Sequence, residues 1–164
     1  MRPVQASISI DAPRERVFEL IADLGRRPAF CDHFQHDYRL ERIAARGVGA
    51  AARFRMDAPR FPIWMETVVE ELHQPDRVAE RGRGGRWDRI PVVTAWELAA
   101  GPGRGCEATV TFWTDPSHPL DIARERLGAR RWHRRQWAKA LQRLRELAES
   151  ERPVEPVAVA GASR

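Results

Sequence analysis

Apolar and polar residues alternate with a period of two along most of this chain, and a helical period replaces that pattern in three places. Val4 to Ile10, VQASISI, puts Ala6, Ile8 and Ile10 on one face of a half-buried strand. Asp11 and Pro13 then suit the cap and first turn of a helix whose apolar face is Val17, Phe18, Ile21 and Leu24, closed by Gly25. RPAFCDHF, residues 27–34, reads as a second short helix with Phe30 and Phe34 facing one way.

From His36 onward the period of two dominates. HDYRLERIAAR offers Tyr38 and Leu40 as strand residues, and AARFRMD sets Phe54 and Met56 against Arg53, Arg55 and Asp57. FPIWMETVVEEL is a strand whose Pro62 favours an edge or a bulge, and RVAERGR is the next. RIPVVTAWELA lines up Ile90, Val92, Thr94, Trp96 and Leu98; the hairpin loop GPGRG follows, and CEATVTFWT turns Ala108, Val110 and Phe112 the same way.

Leu120 to Glu149 is the only stretch that reads as a long helix, on the order of 45 Å at about 1.5 Å per residue, with Gly128 as a kink or as its true start. Ala123, Leu127, Trp137, Leu141, Leu144 and Ala148 share one arc, which must be buried. Arg130 and Arg134 fall inside that arc, and Trp132 falls opposite.

Short turns between consecutive strands exclude βαβ crossovers and imply an antiparallel sheet. The predicted architecture is α+β, in the order β-α-α-β6-α, with a curved sheet of about seven strands held against the last helix. Residues 1–149 form the expected domain, and residues 150–164, rich in Pro, Ala and Val, are expected to be a disordered tail.

Charge and composition narrow the picture. All but one of the 28 basic residues are arginine, the exception being Lys139, and the formal net charge is +5. Nine cations face one acid between Arg124 and Arg145, so the basic character gathers on the long helix, yet a solvated basic face is the commoner outcome and nucleic acid is not the expected partner. Two cysteines, no signal-peptide pattern and no apolar run of about 20 residues lead to the expectation of a reduced, cytoplasmic chain without a membrane span.

Several segments carry a family resemblance. VQASISIDAPRERVFELIADL resembles the opening strand and helix of START-like (SRPBCC) proteins, the superfamily of polyketide cyclase/dehydrases, Bet v 1-like proteins and coenzyme Q-binding proteins. GVGAAARF, WMETVVEELHQPDRVAER and VVTAWELAAGPGRGCEATVTF are similar to its middle strands and last hairpin. The likeness covers roughly residues 4–149. It implies a helix-grip fold, a bent sheet around the C-terminal helix with an elongated cavity between them, and binding there of a small hydrophobic, aromatic, polyketide-like or other lipid-like molecule.

Candidate ligand-binding residues follow from the inward faces: Phe30 and Phe34 as one lip, then Phe54, Met56, Trp64, Val92, Trp96, Val110 and Phe112 on the sheet. Leu127, Arg130, Arg134 and Trp137 are the candidates on the helix. The indoles either line a pocket or fill it. Arg130 and Arg134 would hold an anionic or carbonyl group of the ligand, or pair with sheet carboxylates such as Glu66 or Asp57.

Two other functions remain open. One is an aromatase/cyclase-type enzyme in the same pocket, with Arg134 steadying an enolate and His133 or Glu66 moving protons. The other is an interaction protein using its basic helix on RNA, the ribosome or an acidic partner. Cys31, His33 and His36 form C-x-H-x2-H, but that spacing matches no zinc site pattern, and neither a metal nor a cofactor is expected.

Overall fold

The computed structural model describes residues 1–59, 61–126, 128–150 and 153–157. Its strands are β1 (Val4–Ile10), β2 (Gln35–Leu40), β3 (Ala51–Met56), β4 (Ile63–His73), β5 (Arg77–Gly84), β6 (Ile90–Ala100) and β7 (Cys106–Thr114). Its helices are α1 (Arg14–Ala22), α2 (Pro28–Cys31), α3 (Pro119–Arg126) and α4 (Ala129–Glu149).

All seven strands join one antiparallel sheet in the order β1-β7-β6-β5-β4-β3-β2. The strands β2 to β7 form a meander, and β1 closes onto β7. The two sheet edges are therefore neighbours in sequence, and α1 and α2 carry the chain between them. Alternation selects the inner face as expected: Ile90, Val92, Thr94, Trp96 and Leu98 of β6 and Ala108, Val110 and Phe112 of β7 are buried. In the GPGRG loop, Gly103 takes φ +64° and Gly101 and Gly105 close the turn through their backbone groups. Register shifts after Val69 in β4 and after His36 in β2 bend the sheet.

The long helix is two helices. Gly128 adopts φ +97°, a left-handed conformation that a side chain rarely tolerates, and the chain breaks there between α3 and α4. The residues before Gly128 lose their phase with those after it, which explains why Ala123 is exposed. Leu127 lies outside the described residues. On α4 the buried stripe is Ala129, His133, Trp137, Ala140, Leu141, Leu144 and Ala148. A straight helix against a twisted sheet meets it along a line that winds around the helix, so near the N-terminal end the stripe swings to Ala129 and His133. Arg130 and Arg134 are left outside, which corrects their expected place in the buried arc. Trp132, expected on the far side, is half-buried against Phe34 and His133.

Two smaller expectations change. The N-cap of α1 is Pro13 and no side chain caps it; the Asp11 N–H instead donates to Glu149 Oε1 at 3.0 Å, tying the helix ends together. Within the segment expected to be a free tail, Val154 packs on the core and Val157 donates its N–H to Gly25 O at 2.8 Å.

Candidate functional site

Between sheet and α4 lies a chain of aromatic rings in mutual contact. Phe30 meets Trp96 edge-on at 6.1 Å, Trp96 meets Trp137 at 5.6 Å, and Trp137 meets Phe34 at 5.1 Å and Phe112 at 5.6 Å. Phe112 in turn reaches His133 at 4.8 Å. These offset and edge-on pairs suit aromatic quadrupoles and bury large apolar areas. Phe30 and Phe34, expected at the lip of a pocket, are wholly buried and fill its middle. Phe54, Met56, Val92, Trp96, Val110, Phe112 and Trp137 also lie inside, as their alternation required.

Two sheet candidates face the other way. Trp64 sits opposite Arg55 on the outer face, with the Arg39 and Arg53 guanidinium groups over its ring at 5.7 Å. Glu66 sits opposite Arg53 and is exposed. The strand starts at Ile63, so Pro62 precedes it without reversing it, and period two then sends Met65 and Thr67 inward and Trp64 and Glu66 outward. Neither Trp64 nor Glu66 reaches the interior, and Arg134 does not reach it either.

A charge cluster that the sequence reading missed lies on the middle of the sheet, beside the rings. Arg27 Nη2 donates to Glu80 Oε1 at 2.6 Å, and Thr67 Oγ1 donates to Glu80 Oε2 at 3.0 Å. Both charged side chains are nearly inaccessible, and the Arg27 guanidinium lies 5.1 Å from the Trp96 ring. Burial opposes the Arg27 charge, but the Glu80 carboxylate more than offsets it, so its pKa stays above the ordinary arginine value. Burial also raises the Tyr38 phenol and pushes the Cys31 thiol up to about 12. Only Glu80 left a trace in sequence: it shares the inward face of β5 with Val78, where a carboxylate is out of place. Arg27 opens the short helix read over residues 27–34, too near its start for an apolar period to place it.

Four polar atoms around these rings have no hydrogen-bond partner among the described residues: Arg27 Nε, Tyr38 Oη, Trp96 Nε1 and Trp137 Nε1. His133 Nδ1 is a fifth. Burial pushes the His133 pKa down to about 4, so the ring is neutral at neutral pH. His133 also walls a cavity of about 60 Å³ at the end of the sheet where β6 begins and β7 ends, shared with Ile63, Ile90, Thr114, Asp121, Glu125 and Ala129. Helix α3 covers that cavity. It is held by Arg89 Nε to Asp121 Oδ2 at 2.7 Å and by the Thr114 hydroxyl bonded to Glu125.

The C-x-H-x2-H residues diverge. Cys31 is in the core, His33 lies against Gln136 O and Arg143, and His36 pairs with Asp57 at 2.9 Å. Among the described residues, no three metal-ligating side chains are grouped to hold an ion. Likewise, among them no helix is long and apolar enough to cross a membrane.

The whole of residues 1–149 matches the family described as polyketide cyclase / dehydrase and lipid transport. The chain belongs to that family. Membership implies a pocket for hydrophobic ligands, and the START-like resemblance read from the strand and hairpin segments is thereby shown. No curated protein matches the chain.

Solved structures share the fold. TTHA0849 of Thermus thermophilus superposes with a TM-score of 0.70 at 17% identity, over 92% of this chain and 99% of that one. A START superfamily protein from Mycobacterium smegmatis gives 0.65 at 12% identity over 92% and 99%. Major latex-like protein 151 of Panax ginseng gives 0.63 at 9% identity over 89% and 96%. At such identities the likeness is one of fold.

Proposed function

We propose that the chain binds a small, flat, hydrophobic molecule carrying oxygen groups, aromatic or polyketide-like, between the sheet and α4. The observation that carries this reading is the set of unpartnered polar atoms, Arg27 Nε, Tyr38 Oη, Trp96 Nε1 and Trp137 Nε1, set among aromatic rings. A buried donor without an acceptor costs about 1–3 kcal/mol, so ring or carbonyl oxygens of a guest would relieve several such costs at once. An apolar site with a few polar groups is the usual make-up of a small-molecule pocket.

A guest needs roughly 300–1,000 Å³, far more than the cavity of about 60 Å³ beside His133. Binding therefore couples to opening. Helix α3 moves about Gly128, the Arg89–Asp121 pair separates, and Phe34, Phe112 and Trp137 change rotamer to admit the guest. Native mass spectrometry of the purified protein should find a retained small molecule, and hydroxylated polycyclic aromatics should quench the tryptophans saturably. Trp137→Phe should weaken that binding while preserving the fold. Absence of any saturable quenching by the native protein would end the proposal.

One observation favours chemistry in the same pocket. His133 is neutral, has an unpartnered Nδ1, and stands at the wall of the cavity with Asp121 and Glu125, so it can steer a reacting hydroxyl or carbonyl group by a hydrogen bond from an uncharged ring. This cyclase/dehydrase-type reading keeps His133 and gives no part to Arg134 or Glu66, which face away. Turnover of a polyketide-like substrate lost in His133→Phe, with its binding retained, would support it; equal turnover in the two proteins would exclude it.

A further inference from the structure

Outside the grip, the edge strand β1, the end of β7 and the α3–α4 junction enclose an open groove of about 1160 Å³. Five arginines line it: Arg2, Arg126, Arg130, Arg131 and Arg134. All five are exposed, and among the described residues none has an ion pair or a hydrogen bond. Elsewhere Arg14, Arg26, Arg39, Arg46, Arg55, Arg77, Arg81, Arg89 and Arg143 each find a carboxylate within 3.3 Å, while Arg42, Arg83 and Arg104 have none among the described residues; what sets these five apart is that they share one concave site. The groove also contains Glu125 and Asp115. Glu125 is already engaged by the Thr114 hydroxyl and by the Met1 ammonium at 2.6 Å, which leaves Asp115 as the opposing charge.

Concentrating like charges in a concave site raises the local potential, and the arrangement is relieved by an anion that enters it. Guanidinium groups hold phosphate oxygens through paired, charge-assisted hydrogen bonds. Arg130 and Arg134 lie one turn apart on α4, with Arg131 beside them, so they can address neighbouring phosphates rather than one. Pro3, Pro116 and Ile122 add an apolar wall against which a ring can rest.

We infer that this groove binds a compact polyanion of about nucleotide size, bearing two or more linked phosphates, at a site separate from the interior. A concave site suits such a ligand better than a flat bilayer or the rod of a duplex does. Glu125 walls both this groove and the cavity beside His133, but none of the five arginines belongs to that cavity or to the aromatic cluster, so the inference does not rest on what the interior holds.

The experiment is calorimetric titration of the full chain with tripolyphosphate and with ATP, at low and at physiological ionic strength. Both should bind saturably at one to one, more weakly as salt rises. Arg130→Gln/Arg134→Gln should lose roughly tenfold or more in affinity for both, the loss of about one charge-assisted contact at least. Arg104→Gln, in the β6–β7 loop, should bind as the native protein does. Circular dichroism should find the double variant folded, since neither side chain is buried. Absence of saturable binding would overturn the inference, as would an equal loss in Arg104→Gln, which would mean diffuse charge. A short single-stranded RNA that binds far more tightly than ATP, through the same arginines, would overturn it in favour of a nucleic-acid surface.

Discussion

The interior and the groove beside α3 treat arginine in opposite ways. In the interior Arg27 is withdrawn from water, ion-paired with Glu80 and set against the Trp96 ring. In the groove Arg130 and Arg134 stand in solvent with no side-chain partner among the described residues. A buried charge survives only when its partner is built in, whereas an exposed one needs none. The buried pair is therefore a structural fixture whose strength is internal to the fold, while the groove arginines leave their charge available to the surroundings.

That contrast predicts a steep gradient of mutational cost. Glu80→Ala should have the largest effect, destabilising by about 3–5 kcal/mol in urea unfolding because it strands Arg27. Arg27→Met/Glu80→Leu should cost clearly less than Glu80→Ala alone; a double variant as damaged as the single would mean that lost packing, not the orphaned charge, dominates.

Next comes His133, buried beside the cavity under α3. Its folded pKa of about 4 lies below the unfolded value of about 6.5, so the unfolded chain takes up the proton first. Stability should thus fall as pH drops from about 6.5 to about 4, by an amount on the order of 3 kcal/mol from this group. His133→Phe should flatten the stability profile in that window, as thermal melts across pH would reveal.

Smaller effects belong to the groove and the α3–α4 junction. Gly128→Ala should cost about 1–2 kcal/mol, since φ +97° is left-handed. If α3 is the cover of the interior, it should also slow ligand uptake in stopped-flow quenching. Arg130→Gln/Arg134→Gln should change stability by no more than about 0.5 kcal/mol per site. A large destabilisation there would show that these arginines carry structure after all and would erase the contrast.

Much of the fold was legible in the residues themselves. Period two in β6 and β7 placed Trp96, Val110 and Phe112 inward, and the GPGRG loop set their pairing. The same rule applied to β4 would have turned Trp64 outward had its first residue been known; a one-residue uncertainty at Pro62 was enough to reverse every side chain. On α4 the wheel found Trp137, Leu141, Leu144 and Ala148 but put Arg130 and Arg134 in place of Ala129 and His133. A wheel assumes a flat, parallel contact, and neither the sheet's twist nor the break at Gly128 grants it one.

The sequence by itself determined the order of elements, the antiparallel sheet and the identity of most core faces, because those depend on periods of two and 3.6 that each segment carries alone. Only the tertiary structure decided that Arg27 would meet Glu80 across 53 residues of chain, that the aromatic rings would close on one another, and that five arginines would share one groove. Pairing and shape are properties of segments brought together, and the distance between two side chains is written in neither of them.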